Sequence, residues 1–340
     1  MKKWSKILLW LMLTPLITFV LSAVLLYIPL VQRWAIDQAT TYASDEFGMD
    51  IRIDRVRISF PLDLELQGLQ VIHQEETLGS MGSMVVDLDL MRILLLQIRI
   101  EGIELKDLDV ETGNLIESVH INGNLKRIFL KAEQINLLDA NVSLAQASIE
   151  DGDVTICLAD TTAADTTESS PIPWTIGIEK VRLDRLNLSL QMPLDSLDLG
   201  LQIREGELND GNIDLLQGIY QADDIHIKTD TIRYNAQTDT LEHAGINFTQ
   251  ILLTEASLQL NSPFYNQTSN AVGASLMLTA KERCGLAIDT LSANIGLDST
   301  TVWADDLLLK TPFTRIEAAT HIGFETFQPQ GTGKIDAQLH

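Results

Sequence analysis

The chain has 340 residues, of which 45% are hydrophobic but only 6% aromatic, and its formal net charge is −23 at pH 7. This length allows two ordinary domains or one elongated body. The negative charge excludes nucleic acid as a partner, because phosphate binding needs a basic surface. Two cysteines, Cys157 and Cys284, establish neither a disulfide framework nor a metal site, and we expect both to be small buried apolar residues.

The first residues have the composition of a membrane anchor. Residues 7–30 contain no charged side chain, and a helix of that length exceeds a hydrocarbon core of about 30 Å. The flanking basic residues are Lys2, Lys3 and Lys6 before this segment and Arg33 after it. This bias predicts a cytoplasmic N-terminus, with the body across the membrane. We predict an uncleaved transmembrane anchor over residues 1–30. The alternative is a signal peptide, which has a shorter apolar region and a small-x-small cleavage site.

Residues 31–48 predict a short amphipathic helix that leaves the membrane. Val31, Trp34 and Ala35 fall near helical spacing, and Gly48 suits the position after the last helical residue. Such a helix would cover the start of a sheet.

A strand-like sequence repeat, which we call the phrase, recurs after this helix. Its clearest copy is residues 176–188, and an earlier copy is residues 98–110. In both copies apolar residues form pairs at alternate positions, and each pair starts five residues after the last. Alternation within a pair is the strand period, and the extra polar residue between pairs predicts a β-bulge or a tight bend.

This rhythm divides the chain into two predicted β-modules, residues 49–158 and residues 174–340, and we expect the second to continue beyond the given sequence. Between them, residues 159–173 are rich in Thr, Ala, Ser and Asp, which predicts a loop. Residues 209–212 and 261–263 have the composition of turns. The predicted class is mainly β: the transmembrane and amphipathic helices, then an elongated, curved, repetitive antiparallel sheet shaped as a groove. The alternative is an ordinary closed all-β domain.

No constellation of residues indicates catalysis. The six histidines occur at no metal-binding spacing, and the chain contains no GxSxG, P-loop or GxGxxG motif. Asp223 and Asp224 are adjacent, but neighbouring strand residues point to opposite faces. We therefore predict no catalytic residue, no cofactor and no metal, and a protein that is not an enzyme.

The order of these signals resembles the TamB and AsmA-like family, in versions from Bacteroidetes. The signals are the anchor, the short helix and the strand-like runs 47–60, 64–71 and 85–90. The resemblance covers residues 1–113, and the remainder shares only the strand rhythm. It implies an inner-membrane anchor and a β-groove that crosses the periplasm and holds phospholipid acyl chains. The implied function is lipid transfer to the outer membrane, or protein translocation and assembly there. The family's C-terminal domain, which would meet an outer-membrane β-barrel partner, has no match in this sequence.

Such a groove would be lined by the apolar positions of the phrase. These are Ile98, Ile100, Ile103, Leu105, Leu108, Val110, Ile176, Ile178, Val181, Leu183, Leu186 and Leu188. Aliphatic walls suit acyl chains, whereas 6% aromatic residues give little support for carbohydrate stacking. The competing hypothesis is a membrane-tethered structural or adhesive β-protein, in which the same positions fill a closed core.

Overall fold

The structure is a computed structural model. It describes residues 48–59, 63–73, 76–89, 100–112, 119–136, 140–158, 173–236, 247, 249–323 and 329–337, together with residues 32–34, 37, 38, 40, 41 and 44. The predicted anchor lies outside the described residues, as does Ile98.

Strands hold 83% of the described residues and helices 4%, which confirms the mainly β class. The strands are β1 (Asp50–Ser59), β2 (Asp63–His73), β3 (Glu76–Leu88), β4 (Ile100–Glu111), β5 (Val119–Asn136), β6 (Asn141–Leu158), β7 (Thr175–Met192), β8 (Leu197–Asp214), β9 (Ile219–Gln221), β10 (Asp224–Ala236), β11 (Gln250–Asn266), β12 (Ala271–Glu282), β13 (Ala287–Leu297), β14 (Thr301–Lys310), β15 (Thr314–Gly323) and β16 (Pro329–Ala337). A 3₁₀ turn at Pro193–Asp195 separates β7 from β8.

The described residues between 32 and 44 are α-helical, within the segment predicted to be amphipathic. The extent of that helix stays a prediction, because the intervening residues are outside the described part. Among the described residues, no helix has the length and apolar character needed to cross a membrane.

The sixteen described strands form one sheet in which each strand pairs with the next along the chain. The short strand β9 is an exception, because it lies in line with β10 and pairs with both β8 and β11. The long antiparallel sheet predicted from the sequence is therefore confirmed. Its shape as a groove stays a prediction.

Among the described strands, one neighbouring pair is parallel. Strands β6 and β7 run in the same direction, with Asn141 opposite Thr175 and Cys157 opposite Gln191. The expectation of an antiparallel sheet is wrong for this pair. A parallel pair needs a crossover connection of a dozen residues or more. The low-complexity segment between β6 and β7 has enough residues, and the two predicted modules pair there within one sheet.

The predicted bulges line up across the sheet. In each of ten strands, β1 to β8, β10 and β11, one residue is left out of the pairing with its neighbours. We call these residues the bulge row; they are Asp54, Gly68, Gly82, Asp107, Lys126, Asp151, Arg185, Arg204, Asp230 and Glu255. Five of them, Gly68, Asp107, Asp151, Arg185 and Glu255, have positive φ. Asp107 and Arg185 occupy the same place in the two copies of the phrase, where the sequence predicts a bulge or a tight bend, and both have positive φ.

The bulge row is made of charged residues and glycine. Arg185 Nε lies 2.7 Å from Asp151 Oδ1, and Arg204 Nε lies 3.4 Å from Asp230 Oδ1. Hydrogen bonding from Arg185 lowers the pKa of the Asp151 carboxyl. Both pairs are exposed to solvent, where such pairs contribute little to stability. Eight of the ten bulge-row residues are exposed, and Gly68 and Asp151 are half-buried.

A mostly apolar row of buried and half-buried residues runs directly beside the bulge row. Its cross-strand partners, which we call the buried row, are Ile53, Leu69, Met81, Leu108, Leu125, Gly152, Leu186, Ile203, Thr229 and Ala256. It includes the most buried side chains of the described residues, with Thr229 fully buried and Leu186 and Ile203 each 3% exposed. The core of this part of the sheet is therefore a line along the bulges.

The turns predicted at residues 209–212 and 261–263 are wrong. Both segments lie inside long strands, β8 and β11, and Asp210 and Ser262 are bulge residues with positive φ. The side chains that favour turns also tolerate the left-handed region, so one composition serves both structures.

The bulge at Asp107 can be tested by substitution. Asp107 has a φ of 52°, a conformation that costs an L-residue roughly 1–2 kcal/mol and is worst for β-branched side chains. We expect Asp107→Val to lower the free energy of unfolding by about 1–2 kcal/mol, and Asp107→Asn to leave it nearly unchanged. Urea denaturation followed by circular dichroism measures both.

The matched control is Glu111→Val in the same strand, at an exposed position without positive φ. Valine favours strands, so this change should be neutral or slightly stabilising. Equal losses in Asp107→Val and Glu111→Val would contradict the assignment of the cost to the bulge.

Candidate functional site

An apolar cavity of about 840 Å³ lies along one end of strands β7 to β15. It is lined by Ile178, Val181, Leu208, Gly211, Asn212, Ile213, Tyr220, Gln221, Ala222, Ile225, Leu260, Pro263, Phe264, Tyr265, Val272, Gly273, Ala274, Ile295, Gly296, Leu297, Val302, Trp303, Ala304, Thr320 and Ile322. No charged side chain belongs to this lining. The strand ends gather there because consecutive strands are antiparallel, so the end of each lies beside the start of the next.

Cross-strand rows of apolar side chains build the cavity wall. Val181, Leu208, Ile225 and Leu260 are successive partners across β7, β8, β10 and β11. A second row lies nearer the strand ends and consists of Ile213, Tyr220, Tyr265, Val272, Leu297, Val302 and Ile322. Residues of both rows belong to the lining of the cavity.

Bulges keep the two rows on the same face. Between Leu208 and Gly211 lies Asp210, and between Leu260 and Pro263 lies Ser262, and both intervening residues have positive φ. Without the extra residue, an interval of three would place the flanking residues on opposite faces of the strand. A residue with positive φ, as at Asp107 and Arg185 in the phrase, therefore recurs in the strands that form the cavity wall.

The outer row of the cavity is open to solvent. Tyr265 and Val272 are each 40% exposed, and Leu297 is 36% exposed. Tyr220 and Tyr265 are cross-strand partners whose rings stack with centroids 5.7 Å apart. Their rings add apolar surface, and tyrosine hydroxyls supply a polar end at a boundary between apolar and wet surroundings. The cavity thus has an apolar wall and an accessible mouth.

Two aromatic rings cover glycines in the cavity wall. A Cβ added to Gly273 would come within 2.6 Å of Phe264, and a Cβ added to Gly296 would overlap the indole of Trp303. Each glycine is the cross-strand partner of the ring that covers it, and the two glycines are partners of each other. A larger residue at either position would displace the ring that lies against the backbone.

Two carboxylates that neighbour lining residues in sequence, Glu207 and Asp298, have pKa values lowered by hydrogen bonds. Hydrogen bonding from Lys180 lowers the pKa of Glu207, with which it forms an ion pair. Backbone N–H and hydroxyl donors of Thr300, followed by the N–H of Thr301, lower the pKa of Asp298. Both groups are negative at neutral pH, and neither belongs to the lining of the cavity.

The sequence-predicted lining residues are distributed over several surfaces. Ile178 and Val181 lie in the cavity. Leu188 lines a separate cleft of about 230 Å³, and Leu183 borders a polar depression of about 460 Å³. Leu186 is buried in the buried row, and Ile176 is half-buried.

The predicted lining residues of β4 are Ile100, Ile103, Leu105, Leu108 and Val110. All five are half-buried. Leu108 belongs to the buried row, and none of the five borders the cavity. Their role as groove lining stays a prediction.

Sequence reasoning missed the larger part of the cavity wall, which comes from β8 to β15. Leu208, Ile225 and Leu260 alternate with polar residues as many strand residues of this chain do. The repeated phrase drew attention to β4 and β7, whereas the cavity depends on which strand ends come together. The alternation was the available signal, and it did not distinguish these strands.

The described residues offer little for other chemistry. No group of three or more His, Cys, Asp or Glu residues among them could hold a metal ion. Cys157 and Cys284 are free thiols. The expectation that both are buried is wrong, because Cys157 is half-buried and Cys284 is exposed.

Comparison with known proteins gives no match: no family model fits the chain, and no curated protein is significantly similar to it. The resemblance to the TamB and AsmA-like family therefore stays a prediction.

The contact between Gly296 and Trp303 predicts a specific loss of stability. We expect Gly296→Ala to displace the indole, to lower the melting temperature by several degrees, as about 1–2 kcal/mol would, and to shift Trp303 fluorescence to longer wavelength. A second change, Trp303→Val, should restore most of the melting temperature in the double variant.

Gly177→Ala is the matched control, because a Cβ at Gly177 meets no other atom within 4 Å. Alanine should be tolerated there. A loss in Gly296→Ala that Trp303→Val does not relieve would contradict the proposed overlap.

Proposed function

We propose that this protein is anchored in the inner membrane and uses a periplasmic β-groove to hold lipid acyl chains during transfer toward the outer membrane. The observation that carries the proposal is the uncharged cavity that side chains from nine strands line. Protein translocation and assembly at the outer membrane, with a β-barrel partner, is the related role that the family resemblance suggests.

Curvature of the sheet is supported by the span of the cavity. Strands β7 and β15 are seven steps apart in the sheet order, which on a flat sheet is about 34 Å at 4.8 Å per step. One cavity that touches both is what a curled sheet would produce. The proposed groove is formed by this curvature of the sheet and continues along the sheet.

The pattern of burial also favours an open interior. Ten apolar residues among those described are buried, and five of them are alanine. In β7, Leu186 is buried while the other apolar positions of the phrase are half-buried. A closed sandwich would bury these aliphatic side chains between two sheets. This distribution favours a groove over the closed core of a structural or adhesive β-protein.

Acyl chains match the chemistry of the wall. A cavity of 840 Å³ is within the range of about 300–1,000 Å³ typical of ligand sites. Each lipid methylene removed from water contributes about 0.8 kcal/mol. Because an acyl chain makes no hydrogen bonds, it requires no hydrogen-bond partner in the wall.

The anchor supplies the location in this proposal. The uncharged segment 7–30, with its preceding lysines, would hold the N-terminus in the inner membrane, and the acidic body would extend into the periplasm. Negative charge would keep that body away from anionic lipid surfaces. The sheet would then place its apolar cavity between the two membranes.

Photocrosslinking tests the proposal in living cells. Leu260 faces the cavity, and its neighbour Gln259 is an exposed residue of the same strand on the opposite face. We expect p-benzoylphenylalanine in place of Leu260 to capture phospholipid, detected by mass spectrometry, and the same probe in place of Gln259 to capture little. Equal capture at the two positions, or none at 260, would overturn the groove.

A polar substitution in the wall should reduce this capture. We expect Val181→Asp to lower lipid capture at position 260 about tenfold, since an unpaired carboxylate in an apolar site is costly to bury. The control is Gln191→Asp on an exposed position of the same strand, which should capture lipid normally. Circular dichroism of both variants separates loss of binding from loss of folding.

A further inference from the structure

Two tyrosines are held side by side in the outer row of the cavity. Tyr220 lies in β9 and Tyr265 in β11, and both belong to the lining. They are cross-strand partners, and their rings stack with centroids 5.7 Å apart and planes inclined by 26°. Cross-strand partners place their side chains on the same side of a sheet. Both rings therefore lie on the face that carries their other partners, Ile213 and Val272.

Backbone hydrogen bonds on both sides of β9 fix this arrangement. After the strand, the N–H of Ala222 donates to the carbonyl of Pro263 at 3.1 Å. Before the strand, the carbonyl of Gly218 accepts from the N–H of Gln267 at 2.8 Å. Since both partners belong to β11 or to the turn that follows it, the backbone at Tyr220 is positioned against β11 before any ligand binds.

The hydroxyls of both tyrosines are available at the mouth of the cavity. Neither hydroxyl forms a hydrogen bond with another described residue. Tyr265 is 40% exposed, and the hydroxyl of the half-buried Tyr220 is accessible to solvent. A hydroxyl supplies one hydrogen-bond donor and carries no charge. The pair therefore offers two neutral donors where the apolar wall meets water.

The other polar side chains of the lining are placed less favourably. Asn212, Gln221 and Trp303 border the cavity, but each is next in sequence to a residue of the outer row. Strand alternation places their side chains on the opposite face of the sheet. Thr320 is in β15, four steps from β11 in the sheet order. No charged side chain among the described residues belongs to the lining. The two tyrosine hydroxyls are therefore the paired polar groups of the cavity face.

The apolar wall begins beside the tyrosines and continues along the strands. In β11, Leu260 and Tyr265 are five residues apart, and one residue between them, Ser262, is a bulge. In β8 the same interval, with a bulge at Asp210, separates Leu208 from the outer row. Four strand steps of about 3.3 Å make about 13 Å. A lipid chain that starts at the tyrosines therefore has an apolar surface to cover.

We propose that Tyr220 and Tyr265 recognise the ester carbonyls that join acyl chains to glycerol, so that the cavity selects acylated glycerolipids over ether-linked ones. This inference rests on the proposed function, because it concerns the ligand of the same cavity. A carbonyl oxygen is an uncharged acceptor that a hydroxyl matches. A phosphate would instead be matched by a cation such as arginine, which the lining does not contain. A diacyl lipid presents two carbonyls at the start of its chains, as the tyrosines present two donors at the start of the wall.

Two phospholipid probes that differ only in this linkage test the selection. Both have a phosphocholine headgroup and a photoreactive diazirine in one chain. The first carries two hexadecanoyl esters, and the second carries two hexadecyl ethers, which lack the carbonyl oxygens. The full chain is purified in an uncharged detergent, and labelling of cavity peptides by subsaturating probe is measured by mass spectrometry. We expect the ester probe to label about fivefold more than the ether probe, as one net hydrogen bond would give.

The variant Tyr220→Phe, Tyr265→Phe removes both hydroxyls and keeps both rings. We expect it to lower labelling by the ester probe to the level of the ether probe, and to leave labelling by the ether probe unchanged. The matched control is Tyr234→Phe in β10, which removes a hydroxyl outside the lining. This control should keep the preference of the unmodified protein. Circular dichroism verifies that all variants are folded.

The outcomes separate this inference from the proposed function. Equal labelling of the unmodified protein by the two probes would overturn the recognition of the ester and leave the lipid groove intact. A preference that survives in the double phenylalanine variant, or that Tyr234→Phe abolishes equally, would also overturn it, because the cavity hydroxyls would not be its cause. Labelling by neither probe would overturn the proposed function and this inference together.

Discussion

The sheet depends on the alignment of its bulges. A strand that contains one extra residue changes which side chains face inward, and its neighbour must change at the same place or apolar residues will face polar ones. In ten strands the extra residue lies at the same level, from Asp54 in β1 to Glu255 in β11. The apolar row beside it remains continuous from Ile53 to Ala256. One shared interruption therefore keeps a single apolar face across most of the sheet.

The cavity is built from the same geometry in a second place. Asp210 and Ser262 shift the phase of β8 and β11 close to the strand ends, so that Leu208 and Gly211, or Leu260 and Pro263, face the same side. Glycines then allow Phe264 and Trp303 to lie against the backbone. The charged residues remain one position away from the lining. The apolar wall of the cavity and the charged opposite face of the same strands are thus two consequences of strand alternation.

Much of this fold follows from local sequence. The spacing of residues 98–110 and 176–188 predicted strands interrupted by a bulge or a tight bend, and Asp107 and Arg185 have positive φ at those points. What depends on distant partners could not be predicted in the same way. The composition of residues 209–212 fits a turn or a bulge equally, and the neighbouring strands decide between them. The parallel pairing of β6 with β7 leaves no mark in either strand, because both alternate as antiparallel strands do. Likewise, Ile225 and Leu260 resemble other strand residues until the strand ends come together around the cavity.

The parallel pair also affects how a sheet of this kind can vary in length. In an antiparallel meander, removing a single strand reverses the direction of everything that follows it, so strands are gained or lost most simply as hairpins. At the junction of β6 and β7 the chain has already skipped one reversal. Each later connection therefore lies at the opposite end of the strands from the end where strict alternation would place it. This junction is the place where an odd number of strands can be inserted or deleted without inverting the remainder of the sheet.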